Sequence, residues 1–248
     1  MRSQNRLAPA SFTLALLFSH LGYAPLAAAI PQEIAAHGGH SQQANLPPAP
    51  STPPPNGQRR PGGSLGPESV CFQTPQPLTA ITPVDVHGKT ISDQPTFWFY
   101  TPYTAADVAQ GEFSILTQDE QQEVYAAAFK LPDQPGLFSI TLPADQAASL
   151  EKGAYYHWYL ILDCTAEADS QNKLSIDGWI QPVAATPELE ENIETISSEL
   201  WYDTIDYLLD QVENSPREIP LWVELLEAVD LDEFTQVPVV GPVMMIDG

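Results

Sequence analysis

Ten residues, Tyr155-Tyr-His-Trp-Tyr-Leu-Ile-Leu-Asp-Cys164, narrow the folds open to this chain more than any other stretch. Three Tyr and a Trp in an almost unbroken apolar run suit a pleated strand, because bulky rings lose rotamer freedom against the preceding turn of a helix. Alternation with period two puts Tyr156, Trp158, Leu160 and Leu162 on one face and Tyr155, His157, Tyr159 and Ile161 on the other. The run ends on Cys164, one of two cysteines; the other is Cys71.

Around that strand, short β-runs are punctuated by Pro and Gly. Strands are predicted at Leu78–Ile81, Thr96–Tyr100, Gly111–Leu116, Glu123–Phe129, Gly136–Leu142 and Leu174–Ile180. The polar turn Thr117–Gln122 joins the third and fourth of these as a hairpin. Leu137, Ser139 and Thr141 alternate with Phe138, Ile140 and Leu142, the pattern of a half-buried strand. About seven short strands at this spacing, with no helix between them, indicate an antiparallel two-sheet sandwich and exclude a doubly wound fold. Leu150, Gly153 and Tyr156 resemble the tyrosine corner of immunoglobulin-like and fibronectin type III sandwiches, where a Tyr at the start of a central strand bonds back to the chain upstream.

The flanks have a different texture. Residues 1–29 read as a signal peptide: Arg2 and Arg6, the apolar run Phe12–Phe18, then Ala27-Ala28-Ala29 for cleavage near Ala29. Ser19, His20 and Pro25 make the segment a poor membrane span, and no later segment is long enough to cross one. The mature product is therefore expected to be soluble and exported, to the periplasm or beyond. Residues 30–69, with Leu46-Pro-Pro-Ala-Pro-Ser-Thr-Pro-Pro-Pro55, read as a Pro-rich disordered linker. The sandwich is assigned to 70–184, an acidic helical appendage to 186–235 and an apolar tail to 236–248. In the appendage Leu189, Ile193, Ile196 and Leu200 form one apolar stripe. Trp201, Ile205, Leu208 and Val212 form a second, one residue out of step, so a new helix is predicted there. Thr186-Pro187-Glu188 is a helix start: a cap, then Pro and acids in the first turn. Leu221–Val229 is a third amphipathic run. Tyr202, Ile205, Leu209, Val212 and Pro216, followed by Trp222, Leu225, Leu226 and Val229, faintly echo a tetratricopeptide unit; a single unit cannot bury its own apolar face, so these helices must dock elsewhere.

Net charge is −23, from 9 Lys+Arg against 32 Asp+Glu. Between Glu188 and Glu233 fifteen acids face one base, Arg217. Such a chain does not bind nucleic acid or bare anionic lipid, which need clustered cations. The acidity is a solubility device or an attraction for cations and basic partners. An even pair of cysteines in an exported chain reads as a disulfide, Cys71–Cys164.

The order of blocks resembles the cyanobacterial exported family known as domain of unknown function 928. The residues that carry the resemblance are Pro95–Tyr100 with Pro102 and Tyr103, Gly153, Tyr156–Tyr159, Cys164, Gly178-Trp179 and Trp201-Tyr202-Asp203. It implies export and brings no activity. Thr204-Ile205 departs from the small residues expected after Trp-Tyr-Asp.

Chemistry-bearing motifs are scarce. The sequence contains no nucleophile elbow, dinucleotide or phosphate loop, or His-Glu-x-x-His. Asp85 and His87 could form a base pair of groups but read as turn residues beside Gly88. His37 and His40 make at most a two-ligand site in the linker. Asp163, Glu167, Asp169 and Asp177 could gather oxygens around Ca²⁺, yet lack EF-hand spacing. No metal or cofactor is assigned. Binding candidates are Tyr155, His157 and Tyr159 on the outer face of the long strand, extended by Trp98 and Tyr100 or by Phe97 and Phe99. That outer strip needs a cover, either the helices or a ligand, and the helices are the expected one. The expected function is a non-enzymatic envelope module recognising protein or glycan. The alternatives are a hydrolase using Asp85, Asp163 or Asp177 and an acidic structural or cation-binding protein. Thiol labelling of the protein in denaturant without reductant should find no reactive cysteine; two labelled thiols would remove the disulfide from the argument.

Overall fold

In a computed structural model of the protein, the described residues are 57–62, 71, 74–83, 88–147, 150–164, 173–194, 198–214 and 220–246. Among them are ten strands in two mixed sheets. The first sheet orders β1 (Thr79–Ala80), β3 (Thr96–Thr101), β6 (Gly136–Thr141) and β9 (Val239–Pro242). The second orders β10 (Met244–Ile246), β5 (Glu123–Lys130), β4 (Gln110–Thr117), β7 (Tyr156–Asp163), β8 (Lys173–Pro182) and β2 (Gly88–Thr90). Every strand read from the sequence is present. The hairpin β4–β5 pairs antiparallel and closes with the Thr117 N–H on the Gln122 carbonyl at 2.9 Å. The all-antiparallel expectation needs correction: β2 runs parallel to β8, and β9 parallel to β6.

The sheets pack face to face through aromatic residues. Phe97 and Phe99 of β3 meet Phe113 of β4 and Trp158 of β7, with ring centroids 4.8 Å apart for Phe97–Phe113 and 5.5 Å for Phe99–Trp158. Tyr156, Trp158, Leu160 and Leu162 all belong to this core, as period two requires. Tyr156 completes the corner: its hydroxyl accepts the Glu151 N–H at 2.8 Å, and Gly153 adopts a φ of 90° that a side chain would strain.

Three helices follow: α2 (Pro187–Glu194), α3 (Trp201–Asn214), reached through a 3₁₀ turn at Ser198–Leu200, and α4 (Pro220–Glu227). The short α1 (Ala144–Ala147) lies earlier, between β6 and β7. Thr186 caps α2, its hydroxyl accepting the Leu189 N–H. The helices do not cover the outer face of β7, which was the expected arrangement. They cover the first sheet instead. A second core gathers Trp201, Ile205, Leu208, Leu209, Trp222, Leu225 and Leu226 onto Tyr100, Leu137 and Ile81. β6 is therefore buried on both faces rather than half-buried: Leu137 under the helices, Phe138 and Ile140 between the sheets. Thr204 and Ile205 are fully buried in this packing.

The edges are closed by segments that the sequence left outside the fold. The expected disordered linker ends too late at residue 69. Gln58 accepts the Asp177 N–H at 3.0 Å, Arg59 accepts the Ala80 N–H at 2.9 Å, and the two bonds bridge the sheets. The Arg59 guanidinium reaches the carbonyls of Val229 and Asp230 just beyond α4, where cations suit the helix dipole. The disulfide Cys71–Cys164 adds a covalent tie, with Cα atoms 5.3 Å apart. Closing its 93-residue separation stabilises by about 4–5 kcal/mol in the chain-entropy model. The tail packs as two strands, β9 on one sheet and β10 on the other.

One side chain joins all these layers. Tyr202, at the start of α3, enters the inter-sheet core; its hydroxyl accepts the Trp158 Nε1–H at 2.7 Å and donates to the Trp179 carbonyl at 2.9 Å. A Cβ on Gly88 would strike the Tyr202 ring, and one on Gly178 would strike Trp158. Tyr202→Phe leaves an indole N–H and a carbonyl buried without their partner. Urea titration should record a loss of about 1–3 kcal/mol; an unchanged midpoint would show that the hydroxyl is dispensable.

Candidate functional site

Trp201-Tyr202-Asp203 projects three different contacts from the first turn of α3. The Trp201 Nε1–H donates to the Ile81 carbonyl at 2.8 Å. Tyr202 bonds to β7 and β8 as described, and its ring lies 5.1 Å from that of Phe97 on β3. The Asp203 carboxylate accepts the N–H groups of Ile91 and Ser92 at 3.1 and 3.0 Å and the Thr90 hydroxyl at 3.2 Å, fixing the loop from β2 to β3. Burial pushes the Asp203 carboxyl above its usual range, although all three of these bonds pull the other way.

Beyond this staple α3 leaves a cleft of about 400 Å³ against the β2–β3 loop and β3. Its lining includes Thr90, Ser92 and Thr96 on the sheet side and Asp206, Tyr207 and Asp210 on the helix side, with Trp98 between. Asp206 accepts the Trp98 Nε1–H at 2.9 Å. Burial raises the Asp206 carboxyl, the bonds from Trp98 and Thr96 lower it, and the charge of Asp210, one turn along, raises it again. Tyr207 is 39% exposed at the rim. The cleft combines an indole, a phenol and two neighbouring carboxylates, groups that together accept a cation.

The outer face of β7 holds a second cluster. His157 is buried, its Nδ1 2.8 Å from Glu120 and its Nε2 2.8 Å from Asp177. Trp179 stacks on the imidazole at 4.1 Å, and the Tyr159 hydroxyl lies 3.0 Å from Nδ1 and 3.2 Å from Glu120. Burial, the Glu120 hydrogen bond and the charges of Glu120 and Asp177 push the Tyr159 phenol up to about 12. Glu120 takes a φ of 55° at the hairpin turn, a strained position for a non-Gly residue. Each ring nitrogen of His157 faces a carboxylate oxygen at 2.8 Å, so both are occupied by neighbours.

The five binding candidates thus do not form one aromatic strip. Trp98 and Tyr100 project from β3 on the helix side, Tyr100 against Phe234 at 4.8 Å and Trp98 into the cleft. Phe97 and Phe99 face the inter-sheet core. His157 and Tyr159 belong to the polar cluster, and Tyr155 lines a separate groove beside the β4–β5 turn. Asp163 pairs with Lys173 at 4.0 Å. Asp85, His87, Glu167, Asp169, His37 and His40 lie outside the described residues. Among those described, no group of three or more His, Cys, Asp and Glu could hold a metal, and no helix is long and apolar enough to cross a membrane. Sequence reasoning missed Asp206 and Glu120. The first carried a signal, because Asp203, Asp206 and Asp210 recur at helical spacing.

These features define a mainly β, disulfide-stapled domain in which helices seal one sheet. The family model for the Domain of Unknown Function (DUF928) matches residues 56–239, well over half of the chain. The chain belongs to this family. The match starts two residues before Gln58, the first of the residues that bridge the sheets. No curated protein and no solved structure matches the chain.

Because the folded-state values of Asp203 and Asp206 lie above those of an unfolded chain, their contribution to stability is fully present below the ordinary carboxylate range and is lost as pH rises through the raised values. Asp206→Asn keeps an acceptor for Trp98 and removes the titration. Its urea midpoint should gain on the wild type as pH rises from 4 to 7; a constant difference would place the charge outside the folding balance.

Proposed function

We propose that this protein is an exported, non-enzymatic binding module whose α3 cleft takes a basic side chain of a partner protein in the cell envelope. The observation that carries the reading is the pairing of Asp206 and Asp210 with the rings of Trp98 and Tyr207 in one cleft. A lysine or arginine head there would find carboxylates for charge and aromatic faces for cation–π attraction, worth about 0.5–2 kcal/mol according to desolvation. The fifteen acids of the helical region would steer such a partner toward the cleft. Export is supported by the signal-peptide pattern of residues 1–29 and by the disulfide.

We read the sandwich as immunoglobulin/fibronectin III-like. In that scheme β1, β3 and β6 stand as strands A, B and E, and β5, β4, β7 and β8 as C′, C, F and G. The tyrosine corner then falls at the start of strand F, where the scheme puts it.

The hydrolase alternative has less support. Asp177 is held by His157, and Asp163 lies four residues further along β7 from the register position of Asp177. That is about 13 Å of strand, beyond the roughly 5–10 Å of paired glycosidase carboxyls.

Titration with tetralysine, followed through the Trp98 indole N–H signal and by calorimetry, tests the reading. Binding should weaken about tenfold or more in Asp206→Asn/Asp210→Asn, and should weaken as pH falls through the raised Asp206 value, because protonation removes the charge. Equal binding by the double variant would mean bulk attraction only and would sink the site. Release of reducing ends from envelope polymer, abolished in Asp177→Asn, would favour the hydrolase.

A further inference from the structure

At the far end of the six-stranded sheet from the disulfide lies a groove of about 910 Å³, within the roughly 300–1,000 Å³ range of ligand sites. One wall is the β4–β5 turn and the other is the connection from α1 into β7. Both walls are braced by bonds of their own. In the turn, Asp119 accepts the Thr117 hydroxyl at 2.6 Å and the Gln121 N–H at 3.2 Å, and these bonds hold its carboxyl below the usual range. In the connection, the Gly153 N–H donates to the Pro182 carbonyl at 2.6 Å, the Gln181 side-chain amide donates to the Gly153 carbonyl, and the Tyr156 hydroxyl takes the Glu151 N–H. A groove built this way loses little entropy when a ligand enters.

Its chemistry is mixed. The amides of Gln118, Gln122 and Gln146 and the carboxylates of Asp119, Glu123 and Glu151 line the walls, Val124 and Ala154 form apolar ground that packs against the inter-sheet core, and Tyr155 is half-buried. No Lys, Arg or His is among the lining residues. Amides both donate and accept and carboxylates accept, which matches hydroxyl groups that do both. A phenol ring beside small apolar side chains suits the C–H faces of a sugar ring, while an anionic polymer would meet uncompensated carboxylates.

We infer that this groove is an oligosaccharide site for uncharged pyranose chains, with Tyr155 as the stacking platform, separate from the α3 cleft. Of the aromatic residues considered for binding, Tyr155 is the one that lines it together with several polar side chains able to orient a ligand.

Cellohexaose and chitohexaose are the probes, added to the full-length protein while the side-chain amide signals of Gln118, Gln122 and Gln146 are followed by NMR. Saturable shifts of these signals are expected with at least one probe. Tyr155→Ala should weaken binding about tenfold with the backbone spectrum otherwise preserved, Tyr155→Phe should restore it, and Asp206→Asn should leave it unchanged. No shift with either sugar at about 10 mM, weaker than any useful affinity, would overturn the proposal. So would shifts indifferent to Tyr155→Ala, or groove signals that answer tetralysine and neither sugar. Because Asp206→Asn does not touch this groove, failure here and failure of the α3 cleft are read separately.

Discussion

Two hydrogen bonds at the Tyr202 hydroxyl hold the layers of this molecule in register. The hydroxyl takes the Trp158 indole N–H from β7 and gives its own proton to the Trp179 carbonyl of β8. It does so from the first turn of a helix that also packs against β3 of the other sheet. A polar group so deep costs several kcal/mol if left without partners, so the three residues can be satisfied only when β7, β8 and α3 are in place together. Burial accordingly pushes the Tyr202 phenol well above its ordinary range. Gly88 and Gly178 follow from the same constraint, since a Cβ at either position would collide with the rings that form it.

The constraint also explains how so acidic a chain keeps a tight helical layer. The carboxylates nearest the core are tied to fixed donors: Asp203 to two backbone N–H groups and a hydroxyl, Asp206 to an indole. Other acids of α2, Glu188, Glu190 and Glu191, stay exposed, where solvent screens their repulsion. Lys89 answers Glu199, and Arg60 answers Glu233. Among the described residues, Arg59 meets carbonyls beyond α4 while these two cations meet specific acids.

Much of the fold was legible because it is local. Strand positions, the hairpin at Thr117–Gln122, the inner face of β7 and the helix break before Trp201 all follow from period and turn chemistry. β2 was read as a turn because Gly88-Lys-Thr90 is three residues long and borrows its pairing from β8, about ninety residues away. Gln58 and Arg59 lay within a Pro-rich run whose composition speaks only of disorder. Of the candidate sites, the carboxylates at 203, 206 and 210 could be counted along a helix, but their meeting with Trp98 could not. Glu120 had no signal at all, since nothing in a polar turn says that its carboxylate will reach His157.

The sequence by itself determined the alternation that divides β7 into a core face and an outer face, the cysteine pair, the corner at Gly153 and Tyr156, and the acidity of the helices. These depend on residues a few positions apart, or on totals. Only the tertiary structure decided which sheet the helices cover, and with it that Trp98 and Tyr100 lie toward the helices while His157 closes on Glu120 and Asp177. That choice compares the burial of whole surfaces contributed by residues a hundred positions apart. His157 and Tyr159 could satisfy themselves with neighbouring carboxylates and Trp179. The outer face of β3 and β6, carrying Trp98, Tyr100 and Leu137, had no polar partners of that kind on its own strands, and it took the helices.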